Sequence, residues 1–576
     1  MKRLVAITLL LMFARCAAGA ADPPKPERFA RRWIYSNPGF DLRKDDQAEQ
    51  LLELIARAKQ AGYNGLTVRT GRLAKFEYLP PAVYYRNAER VRKAAEAANI
   101  ELIPLAMRIN GYSNGTLANN PNLAEGMPVR ECLFDAQDGQ AMVAESQNLL
   151  PFGDFENFSQ RDRPDGWGFV DAPGKVSFED RDGRHSGGAS LRMENFATAT
   201  EHGNGRVFKK LILKPWHQYH VKVWIKTENV KSPDMIWVRA QGDVTQKKRP
   251  NLHRAYWKVK STQDWQMHHA VFNTQHNSEV WMYIGGWQPG SGKIWLDDIS
   301  LHEVAGINLL RRKGCPVRVT SEDGSVEYEE GRDFQRWEYP KMGRVRWPGF
   351  YAVAHPEPPI FLTEQSRIRD GQKLKVSFYH AVDHFGCGGM HACLSHDEVF
   401  DCLERHLKLV KKVWQPRTYF MIQDEVRFAG WCELCNRPGV TTGKLLAECT
   451  HRCTDIIRRV DPEAEIVNWS DMFDPNHNAV DNYWLNRGTM KGSWEGVDKD
   501  VTISNWNRGR MVPSLKFFSG RGHRQILATY YDAGNWKQGT QKWLTAAEGV
   551  PGIDGIMYTT WSNDYRHLEE FMQIVR

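Results

Sequence analysis

The chain has 576 residues, 41% hydrophobic and 25% charged, a globular composition too long for one ordinary domain. Its net charge of +8 is spread along the chain without a long Lys/Arg block, which argues against a protein that tracks nucleic-acid phosphates. Beyond the N-terminus nothing approaches about 18 consecutive apolar residues, so no transmembrane helix is expected.

Lys2 and Arg3, the apolar run 4–13 and the small residues Ala17, Ala18, Gly19 and Ala20 have the layout of a secretory signal peptide over residues 1–20. The mature chain is therefore expected to be secreted or periplasmic. Arg15, directly before Cys16, is a poor match to a lipoprotein processing site, so no lipid anchor is expected.

Strand and helix patterns alternate over 31–37, 45–61, 65–70, 88–98 and 100–109. In 45–61, Leu51, Leu52, Leu54, Ile55 and Ala58 form one stripe, and Gly62 supplies the stop. The alternation resumes with strands at 374–382, 418–424, 464–469, 501–506, 525–530 and 556–561, and with helices such as 396–413 and 442–460. Nine strand candidates compete for eight barrel slots, and 374–382 or a neighbour is the surplus one, an extra strand or part of the neighbouring β segment. The expected class is α/β: a TIM-like (β/α)8 barrel in two parts, 30–147 and 373–576, with a β-rich connection at 304–372. An all-β jelly-roll sandwich is inserted at 148–303.

The insert has short alternating strands, many turns and almost no helical periodicity. Its opening at 148–156 with Trp167, the run 186–192, the strand 219–227 and the ending 292–301 resemble carbohydrate-binding modules of families 4 and 9. The resemblance implies a glycan ligand on a sheet face or sandwich edge, a partner of carbohydrate polymer type and a structural calcium. Candidates for the surface are Trp237, Trp257, Trp265, Trp281, Tyr283 and Trp287, whose flat rings suit the apolar faces of sugars. Asp154, Glu156 and Asp298 are candidate calcium ligands. A spacer that binds nothing is the alternative.

The run Tyr419, Phe420, Met421, Ile422, Gln423, Asp424, Glu425, Val426 is an apolar strand ending in two carboxylates, and in (β/α)-barrels catalytic groups sit at such strand ends. With the preceding helix, Ile422 to Val426 resembles glycoside hydrolase family 20, the β-N-acetylhexosaminidases, whose fourth strand ends in Gly-Gly-Asp-Glu-Val. The glycines are absent here. The resemblance implies Glu425 as general acid and Asp424 as the group orienting a substrate acetamido that attacks the anomeric carbon. Strand alternation would point the two carboxylates to opposite faces unless the chain bends between them.

Other strand ends carry Trp469 and Asp471, Trp506 and Asn507, Tyr530, Tyr531 and Asp532, then Tyr558, Trp561 and Asp564. Aromatic plus carboxylate at successive strand ends suits a sugar cleft. Arg69, Arg108, Tyr379 and His380 are further candidates to hold sugar hydroxyls. If a protein nucleophile were used, Asp471 or Asp532 would be the first candidates.

Setting aside Cys16, nine cysteines remain of ten, an odd number for an exported chain. Cys432 and Cys435 form a C-x-x-C pair, and Cys449 and Cys453 are spaced one helical turn apart. Structural zinc, disulfides and reduced thiols all fit these four. His380, Asp383, His384, Cys387, His391 and His396 crowd one region without a metal-ligand spacing, and hydrogen bonding to substrate is the simpler reading. The sequence thus points to an exported glycoside hydrolase that needs no catalytic cofactor. The rivals are a non-catalytic glycan-binding protein and a metal-dependent hydrolase acting on decorated polysaccharide.

Overall fold

The computed structural model describes residues 28–71, 73, 82–111, 113, 115–117, 120–244, 249–338, 358–383 and 389–576. The leader-like residues 1–20, with Cys16, and also His384 and Cys387, lie outside the described residues. Among the described residues no helix is long and apolar enough to cross a membrane.

Eight parallel strands close into a barrel in chain order. They are β1 (Arg31–Ser36), β2 (Gly65–Arg69), β3 (Glu101–Ala106), β4 (Thr418–Met421), β5 (Glu465–Trp469), β6 (Thr502–Asn505), β7 (Gln525–Ala528) and β8 (Ile553–Thr560). The circle closes where Trp33 of β1 pairs with Met557 of β8. Outside it lie α1 (Asp45–Ala61), α2 (Ala82–Ala98), α3 (Asp397–Trp414), α4 (Thr442–Val460), α5 (Met511–Gly520), α6 (Trp536–Ala546) and α7 (Leu568–Val575).

Local chemistry sets the helix ends. Asp45 and Asp46 complement the positive end of α1, and Gly62 leaves it at φ +97, donating its N–H to Ala58 and Lys59 carbonyls. Thr441 caps α4 by accepting from the Lys444 N–H, while Arg458 and Arg459 sit in its last turn.

Alternation divides each barrel strand between two cores. Trp33, Tyr35, Ile103, Leu105, Phe420, Ile422, Val467, Trp469 and Met557 fill the interior, whereas Ile34, Leu66, Tyr419, Met421, Ile466 and Tyr558 pack on the helices. Gly65 stands opposite Trp33, and a Cβ there would come within 2.4 Å of the indole, so only glycine admits that ring.

The expected α/β class with a (β/α)8 barrel is corrected on two counts. Among the described residues strand exceeds helix, 31% against 23%, because two thirds of the described strands belong to three antiparallel sheets outside the barrel. The strand-helix alternation also fails between β5 and β6, where the chain crosses through two short 3-10 turns, Asp471–Phe473 and Ser493–Gly496.

Two of those sheets, each of five strands, face one another as a sandwich. Their inner faces bury a common core that includes Trp167, Val223, Val238, Trp257, Met282 and Leu296. The third sheet has six strands, with Lys373–Ala381 pairing antiparallel to Gly126–Gln137. It draws strands from both sides of the sandwich. The chain is therefore nested: the barrel opens after β3, the six-stranded sheet begins, the sandwich is inserted, and the sheet is completed before α3. Residues 126–143, which the sequence pattern assigned to the barrel, belong to this sheet, and so does 373–381, the strand marked as surplus to the barrel.

Candidate active site

The carboxyl ends of the barrel strands surround a cleft of about 1070 Å³. All eight supply side chains to it: Tyr35, Arg69, Arg108 with Asn110, Asp424 with Glu425, Trp469, Trp506, Tyr531 and Trp561.

The acidic pair is built where β4 leaves the barrel. Ile422 still bonds to the neighbouring segment, its N–H donating to Ala106 O at 3.0 Å. Gln423 turns outward, and its Oε1 accepts from Thr450 Oγ1 and Asn468 Nδ2, both at 2.9 Å. Glu425 adopts φ +49, left-handed backbone that costs a non-glycine residue roughly 1–2 kcal/mol. That turn breaks the strand alternation and lets Asp424 and Glu425 both line the cleft.

Several bonds hold the turn in place. The Glu425 N–H donates to Asp471 Oδ2 at 2.9 Å, and Arg427 pairs with Glu425 Oε1 at 2.7 Å. The Arg427 N–H in turn donates to His391 Nε2 at 3.0 Å. Asn110 donates to Asp424 Oδ1 at 2.7 Å.

Burial raises the proton affinity of both carboxyls. Asp424 is pushed up by desolvation, against the pull of the Arg108 charge and the Asn110 bond. Glu425 is pushed up by desolvation and the Asp424 charge, against Arg427. Asp471, fully buried, is pushed up to about 8 by desolvation first and Asp424 second. The arrangement can keep a carboxylic acid protonated near neutral pH beside aromatic walls.

The candidates from the sequence divide into four groups. Asp424, Glu425, Arg69, Arg108, Trp469, Trp506 and Trp561 meet in the cleft. Asp471 sits behind them, bonded to Glu425 N–H and to the Trp506 indole at 3.2 Å. Asp532 does not line the cleft but accepts the main-chain N–H of Trp561, which does, at 2.6 Å.

The remaining four are corrected. Tyr558 follows inward-facing Met557 and so points outward. Tyr530 stacks on it at 3.9 Å in the helix layer, because the chain turns after Ala528 and presents Tyr531 instead. Tyr379 and His380 lie on the six-stranded sheet, where His380 Nε2 meets Asn273 Nδ2 of the sandwich at 3.1 Å.

Tyr35, Asn110 and Arg427 were missed. Tyr35 was legible from its alternation with Trp33, whereas Asn110 and Arg427 lie past strand ends, where no periodicity marks direction.

The metal-ligand candidates also regroup. Cys432 and Cys435 lie with Cys393 and Glu125, while Cys449 and Cys453 contact each other along α4. In the sandwich, Glu156 accepts the Gly188 N–H, Asp298 Oδ2 accepts from Ser186 Oγ and meets His185 Nδ1, and Asp154 is exposed.

One sheet of the sandwich carries aromatic rings on its outer face. Phe208 contacts Trp281 and Tyr283 at 4.7 and 4.8 Å, and Trp237 meets Tyr256 and Trp287 at 5.0 and 4.7 Å. Arg249 and Arg254 lie over Trp281 and Trp237 at 3.6 and 3.3 Å. Trp257 instead belongs to the inner core, and Trp265 lies by His185 on the other sheet.

Residues 147–291 match the family described as a carbohydrate binding domain, CBM types 4 and 9. The chain thus carries a carbohydrate-binding domain. The solved structures similar to it include a family 16 carbohydrate-binding module, 18% identical, which covers 27% of this chain and 99% of that one with a TM-score of 0.21. Another is the CBM22-1 xylan-binding domain of Paenibacillus barcinonensis Xyn10C, 14% identical, covering 28% of this chain and 96% of that one, TM-score 0.22. A rhamnosidase from Novosphingobium sp. PP1Y is 10% identical, and the similarity covers 96% of this chain and 59% of that one at a TM-score of 0.33. No curated protein matches the chain.

Proposed function

We propose that the protein is an exported glycoside hydrolase that cleaves a polysaccharide or glycan in the barrel cleft and holds it with the sandwich. The observation that carries this reading is the placement of Asp424 and Glu425 together among Tyr35, Trp469, Trp506, Tyr531 and Trp561. Carboxyls recognise and protonate sugar oxygens, and aromatic faces stack on sugar rings. Export rests on the leader-like layout of residues 1–20.

Glu425 acts as general acid. Its carboxyl, held protonated by burial on the oxygen that Arg427 does not bond, gives that proton to the glycosidic oxygen as the bond to the anomeric carbon breaks. In the N-acetylhexosaminidase reading, the substrate's acetamido oxygen attacks that carbon while Asp424 stabilises the positive charge forming on the acetamido nitrogen. Water then opens the cyclic intermediate, with Glu425 taking back a proton. Asp471 is a positioning residue here, since its carboxylate is committed to Glu425, Asn478 and Trp506.

The test is hydrolysis of a panel of aryl glycosides, N-acetylhexosaminides included, by wild type and Glu425→Gln. Turnover limited to N-acetyl sugars and lost in the variant is the expected result. Turnover of sugars lacking the acetamido would replace substrate assistance with a protein nucleophile. Tight glycan binding without turnover would leave a binding protein.

A further inference from the structure

Behind the acidic turn, four chain segments converge on a knot of sulfur. The Sγ of Cys393 lies 3.7 Å from that of Cys432 and 3.5 Å from that of Cys435. Glu125 Oε2 is 3.7 Å from Cys432 Sγ and 3.3 Å from Cys435 Sγ. The four ligand atoms are mutually within 4.8 Å, and all four residues are buried. The thiol of Cys315 meets that of Cys432, and Arg312 brings its positive charge against the same group.

We propose that Cys393, Cys432 and Cys435 hold a structural zinc ion, with Glu125 as the fourth ligand. Around a tetrahedral zinc with Zn–S of about 2.3 Å and Zn–O of about 2.0 Å, sulfurs lie about 3.8 Å apart and sulfur and oxygen about 3.5 Å apart. The four separations lie within about 0.3 Å of those values. A single disulfide would join two of the three thiols and leave the third unbonded, and a second one to Cys315 would still leave Glu125 Oε2 buried against sulfur, whereas one cation takes all four ligand atoms. Mixed thiolate sites of this geometry select zinc over harder cations.

The second carboxylate oxygen is already fixed for this role. Glu125 Oε1 accepts the N–H groups of Trp431 and Cys432 at 2.8 and 2.9 Å, which aims Oε2 at the sulfurs. The ion would tie the segment after β3 and the segment before α3 to the loop that descends from Asp424 and Glu425. This inference is independent of the reaction performed in the cleft.

The test is the metal content of the purified full chain by plasma mass spectrometry, together with the visible spectrum after cobalt replacement. One zinc per chain is expected in the wild type and in Cys449→Ser, with only traces in Cys435→Ser and Cys393→Ser. Because the depleted variants could also misfold, the wild-type cobalt spectrum decides independently: it should show tetrahedral d–d bands and charge transfer from three thiolates. Charge transfer from four thiolates would overturn Glu125 as the fourth ligand in favour of Cys315. A chain without zinc that takes up no cobalt, or one in which peptide mapping finds a disulfide among Cys393, Cys432 and Cys435, would overturn the site. So would zinc lost in Cys449→Ser but kept in Cys393→Ser.

Discussion

The main-chain N–H of Glu425 donates to the carboxyl of Asp471 at 2.9 Å, so the backbone of Glu425, just past β4, is anchored by a side chain arriving from just past β5. The other oxygen of Asp471 takes the indole N–H of Trp506, which fixes a cleft wall to the same point. One buried group thereby sets the spacing between the acid and an aromatic face.

Removing that group should misplace both. Asp471→Ala leaves the Glu425 N–H and the Trp506 and Asn478 donors without an acceptor, at about 1–3 kcal/mol for each buried orphan. The expected outcome is a lower melting temperature and a kcat reduced roughly 100-fold, with KM changed far less. Asp471→Asn keeps one acceptor oxygen and should recover part of both. Steady-state kinetics and thermal denaturation check this, and an Asp471→Ala enzyme with normal kcat would contradict the anchoring role.

In the proposed reaction Arg427 sets the pH range over which Glu425 can donate its proton. Its guanidinium, 2.7 Å from Glu425 Oε1, favours the ionised carboxylate and opposes the upward push of burial. In Arg427→Met that opposition disappears, so Glu425 holds its proton to higher pH. The descending alkaline limb of kcat/KM should therefore move upward in pH. A pH-rate profile on any aryl glycoside that is turned over measures it, and an alkaline limb that stays put or moves to lower pH would remove Glu425 from the general-acid role.

Tyr530 and Tyr531 are adjacent yet face different environments. Tyr531 lines the cleft, and its buried hydroxyl has no hydrogen-bond partner among the described residues. Tyr530 is stacked on Tyr558 behind the barrel wall, with its hydroxyl donating to Asp564 at 3.2 Å. Tyr531→Phe should raise KM several-fold with little change in melting temperature. Tyr530→Phe should lower the melting temperature by the loss of about 1 kcal/mol and leave KM unchanged. Equal KM values for the two variants would count against a substrate contact at Tyr531.

This pair also marks where the sequence stops being legible. Helix ends such as those of α1 and α4 could be read because Gly62 and Thr441 are local signals. The strand 374–382 was legible as a strand surplus to the barrel, but its partner was not, since Tyr379 pairs with Pro128 far along the chain. The inward set Trp33, Ile103, Phe420 and Val467 follows from alternation, whereas the left-handed turn at Glu425 carries no residue-type signature. The sulfur cluster was half visible: the C-x-x-C spacing marked Cys432 and Cys435, but only folding brings Cys393 and Glu125 to them.

The tryptophans of the sandwich separate by the face each occupies. Trp281 lies on the outer sheet face between Phe208 and the Arg249 guanidinium, while Trp257 is 6% exposed and donates its indole N–H to His269 O in the core. A ring that covers a sugar face contributes about 1.5–3 kcal/mol, so Trp281→Ala should weaken polysaccharide binding roughly 10- to 100-fold. Its melting temperature should stay near wild type. Trp257→Ala should instead lose about 3–5 kcal/mol of stability through the cavity it leaves. Affinity electrophoresis on soluble polysaccharides, paired with thermal denaturation, distinguishes the two. Neither change should alter turnover of a small aryl glycoside, because such a substrate fits within the barrel cleft and does not need the sandwich. Undiminished binding in Trp281→Ala would move the ligand site off this face and towards the sandwich edge near Trp224 and Trp265.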